Sequence, residues 1–170
     1  MSQQECWQEF SVLDSTLDEL HDEVRALSDD DAAPRLRPGE LPFALRAMAR
    51  RFGQMADLQI SVDTRGEYDP LPASVELTLY RIAQEALANV KSHARAETVR
   101  IFLRSNHCSL RLTIDDDGIG IGTDALSARD RKGAGLQNIK QRVRELKGRL
   151  TLKRLVQGSR LSVSLPRTTA

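Results

Sequence analysis

The sequence predicts an α/β (α+β) domain built as a two-layer α/β sandwich. Three observations carry that expectation. A long helical stripe, Leu79, Ile82, Ala83, Ala86, Leu87 and Val90, repeats at three- and four-residue steps. Short alternating segments joined by turns follow it, as hairpin strands would. A second helical pattern opens after Gly133 and runs to Gly148 before two more strand-like segments. Helices that bracket hairpin strands bury their stripes on one sheet.

Taken in order, the chain begins with a continuous helical pattern from Trp7 to Leu27. Its apolar face is Phe10, Leu13, Leu17, Leu20, Val24 and Leu27, and its opposite face is strongly acidic. A lone amphipathic helix must cover its stripe, either on the following domain or on another copy of itself. Residues 1–33 are therefore set apart, and residues 34–40, punctuated by Pro34, Pro38 and Gly39, read as a linker. Residues 41–166 form the main domain, opened by a short helix from Leu41 to Phe52 and a strand from Leu58 to Asp63. The long helix starts at Ala73, after Asp69-Pro70-Leu71-Pro72, and ends at His93. Strands follow at Thr98–Arg104 and Leu110–Ile114 across a turn at Ser105–Cys108. Residues Ile121 to Lys132 are loop-like. Leu136 to Leu146 is helical, and Leu150–Leu155 and Leu161–Leu165 are strands around a Gln157-Gly158-Ser159 turn. Pro166 stops the last strand, and residues 167–170 are a polar tail.

Composition limits the function classes. The 170 residues are 40% hydrophobic and 29% charged, enough for a sizeable core. The formal net charge of +1 offers no basic field for nucleic acid. Cys6 and Cys108 match no metal-ligand spacing and suit a reducing cytosol. No apolar run is long enough to span a bilayer, and Met1 to Glu5 lacks the features of a signal peptide. A cytoplasmic location is expected.

Candidate chemistry clusters in three places. Glu85, Asn89 and His93 are spaced i, i+4, i+8 and stack in one column at the edge of the helical stripe. A carboxylate and a carboxamide one turn apart can hold a hydrated hard cation. The same column also reads as the ordinary polar border of an amphipathic helix. Next, the strand ending at Ile114 runs into Asp115-Asp116-Asp117-Gly118-Ile119-Gly120. Last, Gly133-Ala134-Gly135-Leu136 opens a helix, whose first amides can face an anion.

An asparagine column on a helix, a strand ending in Asp-x-Gly-x-Gly and a Gly-x-Gly opening a helix occur here in a specific order. Over Leu36 to Pro166 this resembles the ATP-binding catalytic domain of sensor histidine kinases, in the superfamily that includes Hsp90, gyrase B and MutL. Arg81-Ile82-Ala83-Gln84-Glu85-Ala86-Leu87-x-Asn89 is similar to the helix of the nitrate-sensor-type subgroup. The resemblance implies the histidine kinase ATPase (Bergerat) fold, with a mixed sheet and helices on one face. It also implies that the Leu36-Arg37-Pro38 linker follows a dimerisation helix, whose tail would be Trp7 to Leu27.

The resemblance implies ATP and Mg²⁺ as ligands. Asp116 would accept a hydrogen bond from the adenine amino group, and Gly118 and Gly120 would let the base approach the backbone. Asn89 would ligate Mg²⁺ through its carbonyl oxygen, and Glu85 would orient or deprotonate the attacking nucleophile. Gly133 and Gly135 would let the chain fold over the phosphates, which the helix from Leu136 would meet with its free amides. Ser159 stands where the family carries threonine, and His93 matches the histidine that ends the helix. Arg129, Arg131 and Lys132 are further candidates for the triphosphate end, or simply a solvated charge run. Ser92 departs from the family, which usually has Lys or Arg there. Lys91 points to the solvated face and is a poor substitute.

Three other motifs are excluded. Gly133-Ala134-Gly135 is no dinucleotide fingerprint, because Asn138 replaces the third glycine and no strand precedes it. The Asp115–Gly118 run is no calcium hand, because Ile119 and Ile121 occupy ligand positions. There is no Gly-Lys-Ser/Thr for a P-loop. The functional expectation is a Mg-ATP-binding module that passes the γ-phosphoryl to a histidine for relay to a response regulator. Its partners would be that regulator and a histidine-bearing dimerisation domain, with self-association through the N-terminal helix. An anti-sigma-factor-type serine kinase shares the fold, but the Leu-Arg-Pro linker argues against it. A non-catalytic ATP-sensing scaffold is the reading that Ser92 keeps open.

His21, within Glu19-Leu20-His21-Asp22-Glu23, looks like a phosphoacceptor of this subgroup. Asp14 and Asp18 precede it where the family has basic residues, and Pro34 follows only thirteen residues later. That is too short for a turn and a second long helix at about 1.5 Å per residue. The acceptor is thus expected outside this chain. Incubation with γ-labelled ATP should leave no acid-labile, base-stable label, and label that vanishes in His21→Gln would reverse this assignment.

Overall fold

The structure is a computed structural model that describes residues 36–66, 68, 71–106, 108–120 and 134–166. The chain divides at Ala33/Pro34 into two units, and the described residues all belong to the second. The expected Trp7–Leu27 helix, His21 and the Ile121–Lys132 loop lie outside them, as do Gly133 and the 167–170 tail.

The elements are α1 (Leu41–Ala56), β1 (Gln59–Arg65), α2 (Ala73–Asn89), β2 (Thr98–Ser105), β3 (Ser109–Asp116), α3 (Ala134–Glu145), β4 (Arg149–Arg154) and β5 (Ser159–Pro166). The five strands form one sheet in the order β1-β2-β3-β5-β4. β1 and β2 are parallel, with α2 as their crossover, and the other three pairs are antiparallel. The sheet is therefore mixed, as expected. Parallel neighbours need a long crossover, whereas β2–β3 and β4–β5 need only short turns.

The alternation of β2, β3 and β5 builds the core. Val99, Ile101, Leu103, Leu110, Leu112, Ile114, Leu161, Val163 and Leu165 are buried on one face of the sheet. Against them pack Leu41, Leu45 and Met48 of α1, the whole predicted stripe of α2, and Ile139 and Val143 of α3. Each helix carries its apolar residues at three- and four-residue steps, so one face is covered and the other turned to solvent. Element bounds differ from expectation in places. α1 continues four residues past Phe52, to Ala56. β5 starts at Ser159 rather than Leu161 and includes Pro166, which pairs with Ser109 at the strand end, where its missing N–H costs little.

α2 does not continue as an α-helix to His93. Val90–Ala94 form a π turn, closed by Arg95 in the left-handed conformation (φ 50°). The wider turn leads the chain down to Gln59 of β1, whose amide donates to the Glu97 carbonyl at 3.0 Å.

One side chain of α2 ties the helical layer together. Glu76 is fully buried. Its Oε1 accepts from the Gly39 amide (2.7 Å), the Tyr68 hydroxyl (3.0 Å) and the Leu71 amide (3.2 Å), and its Oε2 from the Leu41 amide (3.0 Å). A carboxylate can be buried only when such donors replace water. Glu76→Ala would leave three backbone donors and a phenol without their acceptor. At about 1–3 kcal/mol per orphaned buried group, partly relieved by water, a loss of roughly 3 kcal/mol or more is expected. Glu76→Gln, which keeps Oε1, should lose clearly less. Urea denaturation of the two variants beside the parent measures the difference.

Candidate functional site

The end of β3 is the centre of the candidate site. Alternation along the strand points Asp116 inward and Asp115 and Asp117 outward. Asp116 is buried. Its Oδ2 accepts from the Ser159 hydroxyl, and its Oδ1 accepts from the Gly118 amide at 3.0 Å. Ser159 is the register partner of Asp116 across β3–β5, which is why its hydroxyl reaches the carboxylate. Each carboxylate oxygen has a second lone-pair direction, so the group can still accept from an amino group outside the protein.

Three glycines knit this end together. A Cβ on Gly118 would lie 2.1 Å from the Ala94 carbonyl oxygen, and one on Gly158 would lie 1.8 Å from that of Asp116. Gly120 has φ +78°, and a Cβ there would meet the Gly158 carbonyl oxygen at 2.9 Å. The sequence reading gave Gly118 and Gly120 to close approach of a base. The structure shows that close approach of the chain's own backbone already requires them. The Ile119 amide donates to the Ala94 carbonyl at 2.8 Å, so the Asp-x-Gly loop is fastened to the end of α2.

α2 brings Glu85 and Asn89 to this end, both half-buried. His93 falls in the π turn and is exposed, because the 100° spacing that put it in their column ends at Asn89. α3 packs beside α2. It begins at Ala134 rather than Leu136, so Gly135 belongs to the first turn, and Leu136 is half-buried there. The first amides of a helix have no partner within it and are free to meet an anion. Lys91 and Ser92 are exposed. Among the described residues, no cluster of three or more His, Cys, Asp or Glu could hold a metal.

Asp117 is the residue that sequence reasoning passed over. Its Oδ1 accepts from the Glu97 and Thr98 amides (2.9 Å each), and its Oδ2 from the Thr98 hydroxyl (2.7 Å). It latches the end of β3 to the start of β2. The triple aspartate hid it, although strand alternation separates it from Asp116.

The model of the family described as "Histidine kinase-, DNA gyrase B-, and HSP90-like ATPase" matches residues 74–169, from the start of α2 past the end of β5. The chain belongs to this family. ATPase-family membership brings a nucleotide site with it. The family's relatives include sensor histidine kinase MctS of Rhizobium johnstonii, 32% identical over 86% of this chain and 32% of that protein. Another is the signal transduction histidine-protein kinase/phosphatase UhpB of Salmonella typhimurium, 33% identical over 86% of this chain and 29% of that one. The chain thus spans about a third of the length of these relatives. The ATP-binding domain of PrrB from Mycobacterium tuberculosis has the same fold, with a TM-score of 0.62 at 22% identity over 78% of this chain and 97% of that one. The histidine kinase domain of a blue-light activated kinase from Erythrobacter litoralis gives a TM-score of 0.60 at 24% identity, over 79% and 64%. In this ATPase-family chain, no described helix is long and apolar enough to cross a membrane.

The hydrogen bonds to Asp117, foremost that from the Thr98 amide, hold its carboxyl below the ordinary carboxylate range. A carboxyl lowered in the folded state stabilises above its unfolded value of about 3.9, and loses that contribution as pH falls through the folded value. Asp117→Asn keeps the acceptor oxygen and removes the charge. Its deficit in urea midpoint should be largest near neutral pH and shrink below about pH 4, again the unfolded value. A deficit independent of pH would show that the charge contributes nothing.

Proposed function

We propose that this domain holds Mg-ATP against α2, the end of β3 and the start of α3, and passes the γ-phosphoryl to a histidine. The observation that carries the reading is the buried Asp116 carboxylate, held by Ser159 and the Gly118 amide beside the helix that bears Glu85 and Asn89. Asp116 accepts a hydrogen bond from the adenine amino group, a charge-assisted contact in a dry setting. Gly118, Gly120 and Ser159 shape that end. Asn89 would hold Mg²⁺ through its carbonyl oxygen, and the metal would neutralise charge on the phosphates. A metal held this way needs no cluster of protein carboxylates. Glu85, one turn before Asn89, orients or deprotonates the attacking nitrogen. Gly133, Gly135 and Leu136 bring amides to the phosphates, and His93 borders the site at the helix end.

The acceptor histidine lies on a dimerisation segment, and the phosphoryl passes from it to a response regulator. Support comes from the family match and from relatives named as sensor histidine kinases. On the same reading the N-terminal helix contributes to self-association, and the domain works in the cytoplasm.

Titration calorimetry with and without Mg²⁺ separates the two binding roles. Asp116→Asn should weaken ADP and ATP alike, by roughly tenfold or more for a contact worth about 1.5–3 kcal/mol. Asn89→Ala should lose only the Mg²⁺-dependent part of ATP affinity. Parental Mg-ATP binding by Asn89→Ala would remove Asn89 as the metal ligand.

A further inference from the structure

We propose that the helix-free face of the sheet is a docking surface for an acidic protein partner. The described helices all pack on the other face. On the open face, strand register lines up Arg65, Arg104, Arg111, Ser164 and Arg149 in one row across all five strands. All four arginines are exposed. Neighbouring strands are about 4.8 Å apart, so the three arginines of β1, β2 and β3 stand directly side by side. Like charges placed opposite one another destabilise a sheet.

The rest of the face shows how this cost is usually met. In the row four residues away, Asp115 stands between Arg100 and Arg160, and both of its oxygens bind the Arg160 guanidinium, at 2.7 and 2.5 Å. Arg65 turns back to Asp63 at 2.9 Å. Among the described residues, Arg104, Arg111 and Arg149 have no carboxylate partner, and Arg104 lies over the Phe102 ring at 5.9 Å. A row that keeps its repulsion has an anion to gain from outside the fold. Residues 34–170 hold 24 Lys and Arg against 14 Asp and Glu, so the whole domain is basic, and this row concentrates the excess most: it has four arginines and no carboxylate, whereas the Asp115 row sets one carboxylate among Arg100, Arg160 and Lys153.

The chemistry favours carboxylates over lipid phosphates. The row consists of arginines, whose planar forks bind carboxylates in pairs, as Arg160 already does with Asp115. They stand at fixed spacing on a rigid sheet, which suits a partner whose acidic side chains are also fixed. A fluid bilayer would make no use of that register. The proposal is independent of the nucleotide reading, because the row projects from the face opposite Asp116.

The test uses the full 170-residue chain, with fluorescein-labelled poly-L-glutamate as the carboxylate probe and phosphatidylglycerol/phosphatidylcholine vesicles as the lipid arm. The variant Arg104→Glu/Arg111→Glu is compared with Arg142→Glu/Arg144→Glu, the same charge change on exposed residues of α3. Poly-L-glutamate affinity, falling with salt as screened charges require, should drop about tenfold or more in the first pair and less than about twofold in the second. Calorimetric ATP binding should match the parent in both. If the glutamates unfold the sheet, Arg104→Gln/Arg111→Gln replaces them, with a smaller drop in the same direction. Equal weakening by both pairs, no binding by the parent, or loss of vesicle binding with poly-L-glutamate unaffected would each overturn the proposal.

Discussion

The arrangement of the helical layer depends on the four hydrogen bonds gathered by the Glu76 carboxylate. The residues it binds all precede α2, in two stretches far apart in sequence: Gly39 and Leu41 at the start of α1, Tyr68 and Leu71 on the approach to α2 itself. Two irregular segments with little apolar content are thereby fixed to one helix by polar contacts in a dry setting. Such contacts are directional, and a carboxylate stripped of water tolerates few alternative arrangements. The same helix carries Glu85 and Asn89 two to four turns further on. The position of the candidate site relative to the linker is therefore set by a side chain remote from the site.

Much of the domain was legible in the sequence because its signals are local. The α2 stripe was read residue for residue, since burial of Leu79, Ile82, Ala83, Ala86, Leu87 and Val90 needs only a period of 3.6 and a sheet to cover it. The strands were found by alternation, and the Asp-x-Gly-x-Gly loop by its glycines. What escaped notice depends on partners distant in sequence. Nothing near Glu76 marks it as an acceptor for Gly39, thirty-seven residues away. The π turn at Val90–Ala94 has no local signature, and its last carbonyl, that of Ala94, accepts from the Ile119 amide, far along the chain. Asp117 needed the β2–β3 register before its bonds to Glu97 and Thr98 could be seen.

The glycines of the candidate site show how one residue type can satisfy two demands. Gly118, Gly120 and Gly158 are required by contacts within the protein, where a methyl group would strike a carbonyl oxygen. Backbone brought this close leaves the end of the sheet lined with peptide groups rather than side chains, which is the surface a flat heterocycle can approach. On the proposed reading, packing and ligand recognition thus favour the same residue type. A glycine motif alone therefore cannot tell one cause from the other.

On β3 and β5, consecutive residues serve opposite sides of the sheet. Asp116 and Ser159 meet on the inner side, and one step along, Asp115 and Arg160 meet on the outer side. Inserting or deleting a single residue would break both pairs: in β3 it would turn the Asp116 carboxylate out to solvent, and in β5 it would drive the Arg160 guanidinium into the core. Lineages carrying this domain can therefore change length only between strands. Sequence divergence within β3 and β5 must proceed by replacement alone, and their spacing should persist long after most of their side chains have changed.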